Sequence, residues 1–156
     1  MAQTCGNIAR MSIHASKKQK KRLAACFRDQ ALREAGHATV VGFLGIAVAD
    51  VSATGTVYAE NLTDPLAIAA VAWGGFAIAY WKLGYSLNPK GVPALLERFQ
   101  GAKDHDIYLL TRVRDRFGDI PIQRGLSLAE KAIYARWDTM EALASEFRAE
   151  LSRKNV

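Results

Sequence analysis

Five consecutive residues, Arg33-Glu34-Ala35-Gly36-His37, hold most of the chemistry that this sequence can offer. With histidine in place of Arg33 they would read H-E-x-x-H. That pattern sets two histidines one helical turn apart to hold zinc, with the glutamate as general base. Here the glutamate and the second histidine are present, and arginine stands at the first ligand position. A guanidinium offers no lone pair, stays protonated and repels a dication. The pattern is that of a metal-dependent hydrolytic site lacking one ligand. Other reactive sets are poorer. Cys26 has no histidine or acid that the sequence places beside it, which suits a buried thiol. His105, between Asp104 and Asp106, reads either as a pH-sensitive or metal-binding group or as the polar start of a helix.

The formal net charge is +6, and much of it sits in Lys17, Lys18, Lys20, Lys21 and Arg22. Such a cluster suits contact with nucleic acid or an acidic protein surface, or simply a solvated first turn of a helix. No aromatic residue interleaves with it, so a base-stacking platform is unsupported. The 156 residues, half of them apolar, suit one domain. Cys5 and Cys26 lack metal spacing and suggest no disulfide framework, so a reducing, cytoplasmic setting is expected. No signal peptide is expected. The longest uncharged run, Pro65 to Trp81, falls short of the about 20 residues of a comfortable span and holds two glycines. It reads as a buried helix, and no membrane partner is expected.

The elements that would position these groups can be laid out from periodicity. Residues 1–15 read as a flexible arm and 16–156 as a single domain. A first helix is predicted from Ser16 to about Leu44, with Leu23, Phe27, Gln30 or Ala31, Glu34, Ala38 and Val41 on one buried face. A carboxylate in that stripe is either paired or functional, because an unpaired buried charge is costly. Gly45 ends this helix. One or two short strands are predicted between Ile46 and Tyr58, with Gly55 as a bend. Thr63 or Asp64 then caps a second helix that runs from Pro65 to about Leu83. It is apolar nearly all round, and its Gly74-Gly75 pair permits close backbone approach. A short helix is predicted over Val92–Phe99. A fourth, capped by Asp104, keeps Ile107, Leu110, Val113 and Phe117 in register and stops at Gly118 and Pro121. The last opens on the capping box Ser127-Leu128-Ala129-Glu130. Its seam of Ile133, Trp137, Met140, Ala144, Phe147 and Leu151 either packs on its own domain or forms a homodimer through the C-terminal helix.

The order of these motifs resembles the zinc peptidase domain of the membrane-anchored AAA proteases and its smaller stand-alone relatives. Glu34-Ala35-Gly36-His37-Ala38-Thr39-Val40-Val41 matches the family's H-E-A-G-H-A-x-V helix from its second position. Leu44 to Tyr58 sits where the family has a β segment, and Ala67 to Gly84 where it has a small-residue helix, without the usual acids near its end. Gly101-Ala102-Lys103-Asp104-His105-Asp106-Ile107 is similar to the segment that supplies an aspartate as third ligand, with one residue extra. The resemblance covers roughly residues 25 to 118.

The resemblance implies a mainly α (α+β) fold, a zinc-peptidase-like domain of about five helices with a short β element. It makes His37 the remaining histidine ligand, Asp106 the third ligand with Asp104 as rival, and Glu34 the base that would act on zinc-bound water. Two protein ligands are too few for a catalytic zinc, which normally has three and a water. His105 or His14 would have to complete the set if zinc binds. Otherwise Arg33 is expected to replace the metal's charge, bridging Glu34 and Asp106 in a partly buried network with His37 alongside. The favoured expectation is a catalytically inactive peptidase-like domain that binds another protein as regulator or inhibitor, with no cofactor. One setting is a phage or other mobile element acting on a host defence complex such as a CRISPR effector. The alternatives are an active zinc peptidase with a substitute ligand, and a nucleic-acid binder using the lysine cluster.

Overall fold

Asp29 decides where the first long helix starts. Its side chain accepts the Leu32 N–H at 3.1 Å, and its backbone is extended (φ −74, ψ 97). A short carboxylate competing for a nearby N–H favours a cap over a helix interior. Helix α1 therefore spans Gln30–Leu44. The expected continuous helix from Ser16 is corrected: the chain turns at Arg28 and is extended at Asp29, with Lys18, Lys21 and Ala25 helical ahead of the break. Gly45, at φ +68, closes α1, and its N–H and that of Ile46 take up the last carbonyls.

The computed structural model describes residues 28–83 and 105–155, with Lys18, Lys21 and Ala25 before them; for 78–83 the backbone is described. The arm, Cys5, His14, Cys26, Asp104, the seam residues Leu23 and Phe27 and the helix expected over 92–99 lie outside the described residues.

After α1 come strands β1 (Val48–Ser52) and β2 (Gly55–Tyr58), paired antiparallel with Ser52 opposite Gly55 and Val48 opposite Tyr58. The hairpin is tied down at its tip. Ala53, fully buried, receives Gln30 Nε2 on its carbonyl at 2.9 Å and donates its N–H to Glu150 at 3.1 Å. Helix α2 (Pro65–Leu83) follows. Asp64 is its cap, accepting the Leu66 N–H at 3.1 Å, and Pro65 sits where no N–H is required.

Helices α3 (His105–Phe117), α4 (Asp119–Ala135) and α5 (Trp137–Lys154) complete the described chain. Here the expected boundary at Ser127 is corrected. Gly118, at φ +83, turns the chain, so Pro121 falls in the first turn of α4, where a missing donor costs little. Ser127 lies inside α4 and its hydroxyl donates back to the Gln123 carbonyl at 3.3 Å. The break comes instead at Arg136 (φ −126, ψ 36). Its guanidinium lies 5.8 Å from the Phe43 ring, beside the last turn of α1, where a cation is favoured.

The molecule is thus mainly helical, with five helices and a two-stranded antiparallel sheet among the described residues. Helix α2 is central, packed against α4, α1 and α3, and α5 lies along α1. Trp73 and Phe76 of α2 are fully buried, and the Trp73 indole N–H reaches the Ile122 carbonyl at 3.0 Å. The C-terminal seam packs inward: Ile133, Met140, Ala144 and Phe147 are buried, with Trp137 and Leu151 partly so. Phe117, expected on the buried face of α3, is half-exposed. Among the described residues no helix is long and apolar enough to cross a membrane.

Candidate functional site

Helix periodicity places Arg33, Glu34 and His37 on one face of α1. That face looks toward the first turn of α3, where Asp106 projects inward and is 5% exposed. Arg33 donates to Asp106 Oδ2 through one terminal nitrogen. His37 Nε2 lies 3.0 Å from the same oxygen, and its Nδ1 lies 3.3 Å from Glu34 Oε2. The residue that joins both carboxylates is His37, whereas the sequence pointed to Arg33 in that role. Arg33 also stacks over Phe76 of α2, with 4.8 Å between the guanidinium carbon and the ring centre. It is a largely covered group, unlike a solvated helix arginine.

Helix α2 passes close beneath this cluster because Gly75 has no side chain. A Cβ there would stand 2.7 Å from His37 Nε2 and 3.3 Å from Asp106 Oδ2. The neighbouring Gly74 lets α2 approach the Gly36 carbonyl in the same way. The Gly-Gly pair noted in the sequence is what brings the imidazole and the aspartate against α2.

Burial alone would discharge His37. The Asp106 charge and hydrogen bond, aided by Glu34, outweigh it and push the imidazole up to about 10. At neutral pH both ring nitrogens carry protons and donate to the two carboxylates. Burial likewise opposes the Asp106 charge, but His37 first and Arg33 next hold its carboxyl below the ordinary aspartate range. Tyr58 of β2 is pushed up, by burial and then by the charges of Asp106 and Glu34.

These groups open into a cleft of about 600 Å3 between α1, β2 and α3. Thr56 and Tyr58 form the strand side, and the Thr56 hydroxyl oxygen is buried without a hydrogen-bond partner. His105 lines the same cleft. It is exposed and stacked on Tyr108, with ring centres 6.1 Å apart, and it is not bonded to the network. Of the basic cluster, Lys18 and Lys21 are exposed and helical, and Lys17, Lys20 and Arg22 lie outside the described residues.

The donor set as arranged does not fit the zinc that the family resemblance implies. Both His37 ring nitrogens lie against carboxylate oxygens, and Asp106 faces a guanidinium where a ligand's partner would be a metal. Among the described residues no group of three or more histidine, cysteine, aspartate or glutamate side chains is disposed to hold a metal ion. What the cluster does is neutralise charge internally, with two cationic and two acidic side chains interleaved. Phe76, Tyr58 and Thr56 were not singled out from the sequence. Phe76 sits in an apolar run that reads only as core, and the two β2 residues carry no spacing signal toward α1.

Comparison with protein-family models, with curated proteins and with solved structures finds no match for this chain.

Proposed function

We propose that this chain is a catalytically silent counterpart of the zinc peptidases, present in the cytoplasm and acting as a regulator or inhibitor that binds another protein. The observation that carries the reading is the pair of bonds that Asp106 makes to His37 and Arg33. The two residues that the family resemblance would make metal ligands, His37 and Asp106, bond each other at 3.0 Å, and Arg33 occupies the aspartate besides. A guanidinium in that place supplies the positive charge that the carboxylates need without an exchangeable water to activate. Glu34 then has a structural task, holding His37, in place of the general-base role. A domain whose polar centre is closed in this way retains a shape and a surface, and these are what recognition requires.

Metal content and peptidase assays test the reading. The wild-type chain, purified without chelator, should contain no stoichiometric zinc by plasma mass spectrometry and show no chelator-sensitive casein cleavage. Arg33→His, which rebuilds both histidines one turn apart, should take up zinc in a manner that a further His37→Ala change abolishes. Stoichiometric zinc in the wild type, lost on His37→Ala, would end the proposal in favour of an active peptidase. A folded Arg33→His variant that stays metal-free would break the link to zinc peptidases.

A further inference from the structure

A second surface, adjoining the network's cleft at Leu109, combines apolar area with exposed positive charge. It is a groove of about 520 Å3 between the segment entering α2 and the outer face of α3. Leu62, Ile68, Leu109, Val113 and Phe117 line it, with Arg112 and Arg116 beside them. Both arginines are exposed. Arg112 donates to the Tyr108 hydroxyl at 3.2 Å and lies over that ring, and Arg116 lies over the Phe117 ring at 5.6 Å. Among the described residues neither meets a carboxylate. Asp115, on the same helix, does not line the groove. Phe117 is 49% exposed, and outside the groove Tyr108 and Ile120 are 50% and 63% exposed.

We infer that this groove docks an acidic amphipathic helix of another protein. Arg112 and Arg116 stand one turn apart, which matches carboxylates spaced i and i+4 along a helix laid beside α3. Apolar residues on the inner face of that helix would cover Ile68, Leu109 and Phe117, the usual arrangement for a helix in a groove. The cations at the edge select the sign of the partner's flanking charge, and the net charge of +6 favours encounter with an acidic one. The exposed Tyr108 ring outside the groove extends the surface past what a single fatty acid would cover. The inference rests on the protein-binding part of the proposed function and is independent of the closed polar centre.

Two labelled peptides about five helical turns long, each with a leucine stripe, test it by anisotropy titration. One carries glutamates along both flanks and the other lysines. The glutamate peptide should bind the wild-type chain saturably, about tenfold or more tighter than the lysine peptide, and shift the Leu109 and Val113 amide resonances. R112E/R116E should invert the preference, and R112Q/R116Q should erase it if the reversal unfolds the chain. Equal affinity for both peptides, absence of binding, or an unchanged preference in the variants overturns the inference. Saturable oleate binding without peptide binding, or a dimer dissolved by R112E/R116E, assigns the groove to another occupant and overturns it too. None of these outcomes bears on the zinc measurement, so the two ideas fail separately.

Discussion

Arg33 and His37 place two cations against two carboxylates in a largely buried cluster at the wall of the cleft. Buried ion pairs of this kind are weak as a source of net stability but costly to break, because the remaining charge is stranded. Their balance makes stability depend on pH. The His37 pKa rises from 6.5 to about 10 on folding, so the folded state holds a proton that the unfolded state releases between those values. The stabilisation is complete below 6.5 and is lost as pH climbs toward 10. Asp106 acts in the opposite sense at the acid end: its lowered pKa contributes above the ordinary aspartate value and fades as pH falls below it. Urea denaturation across this range should show stability declining on the alkaline side. His37→Gln should be less stable at neutral pH and should lose most of that decline. An alkaline slope that survives the substitution would place the linkage elsewhere.

At the scale of elements, the close passage of α2 beneath α1 is what makes the network compact. Gly75 lies where a methyl group would press on His37 and Asp106 at 2.7 and 3.3 Å. Alanine there improves helix propensity by up to about 1 kcal/mol. Overpacking against a side chain already held at both ring nitrogens costs about 1–3 kcal/mol. At 2.7 Å the overlap falls toward the upper part of that range, and Gly75→Ala is expected to be destabilised by up to about 2 kcal/mol net. The expected readout is a fall of several degrees in Tm. A stabilised Gly75→Ala variant would mean that α2 stands further from α1 than described.

At the scale of the whole molecule, α5 is a structural member. Phe147, 3% exposed, belongs to the same apolar cluster as Trp73 and Phe76. Truncating a buried phenylalanine costs about 3–5 kcal/mol. Phe147→Ala should therefore destabilise the chain by that order, with a wild-type melting temperature that does not vary with protein concentration. Melting that rises with concentration and loses that dependence in Phe147→Ala would show the seam bridging two copies. Exposed apolar side chains occur at α3 and the start of α4, with Phe117 49% and Ile120 63% exposed. Val57 of β2 and Tyr134 near the end of α4 are also exposed, but singly, whereas Tyr108, Phe117 and Ile120 lie near one another in sequence.

Local chemistry was readable from the chain alone. The Glu34 to His37 spacing, the short strands between Ile46 and Tyr58, and the Asp64-Pro65 entry into α2 each depend on interactions within a few residues, and each is found where the sequence placed it. The resemblance to a known motif order also pointed to Asp106 as a companion of His37, and the two lie together. Other features depend on groups far apart in the chain. Arg33 and Asp106 are 73 positions apart, and which of Arg33 and His37 spans the two carboxylates follows from how closely α2 lets α3 approach α1. The break at Arg136 has no proline or glycine to announce it; packing of α5 along α1 places it, with the guanidinium beside Phe43. Ser127-Leu128-Ala129-Glu130 is a sound start signal that tertiary packing overrode, because Gly118 had already turned the chain and opened α4 one residue later. Short-range hydrogen bonding wrote the elements into the sequence, whereas long-range packing chose their partners and so the nature of the polar centre.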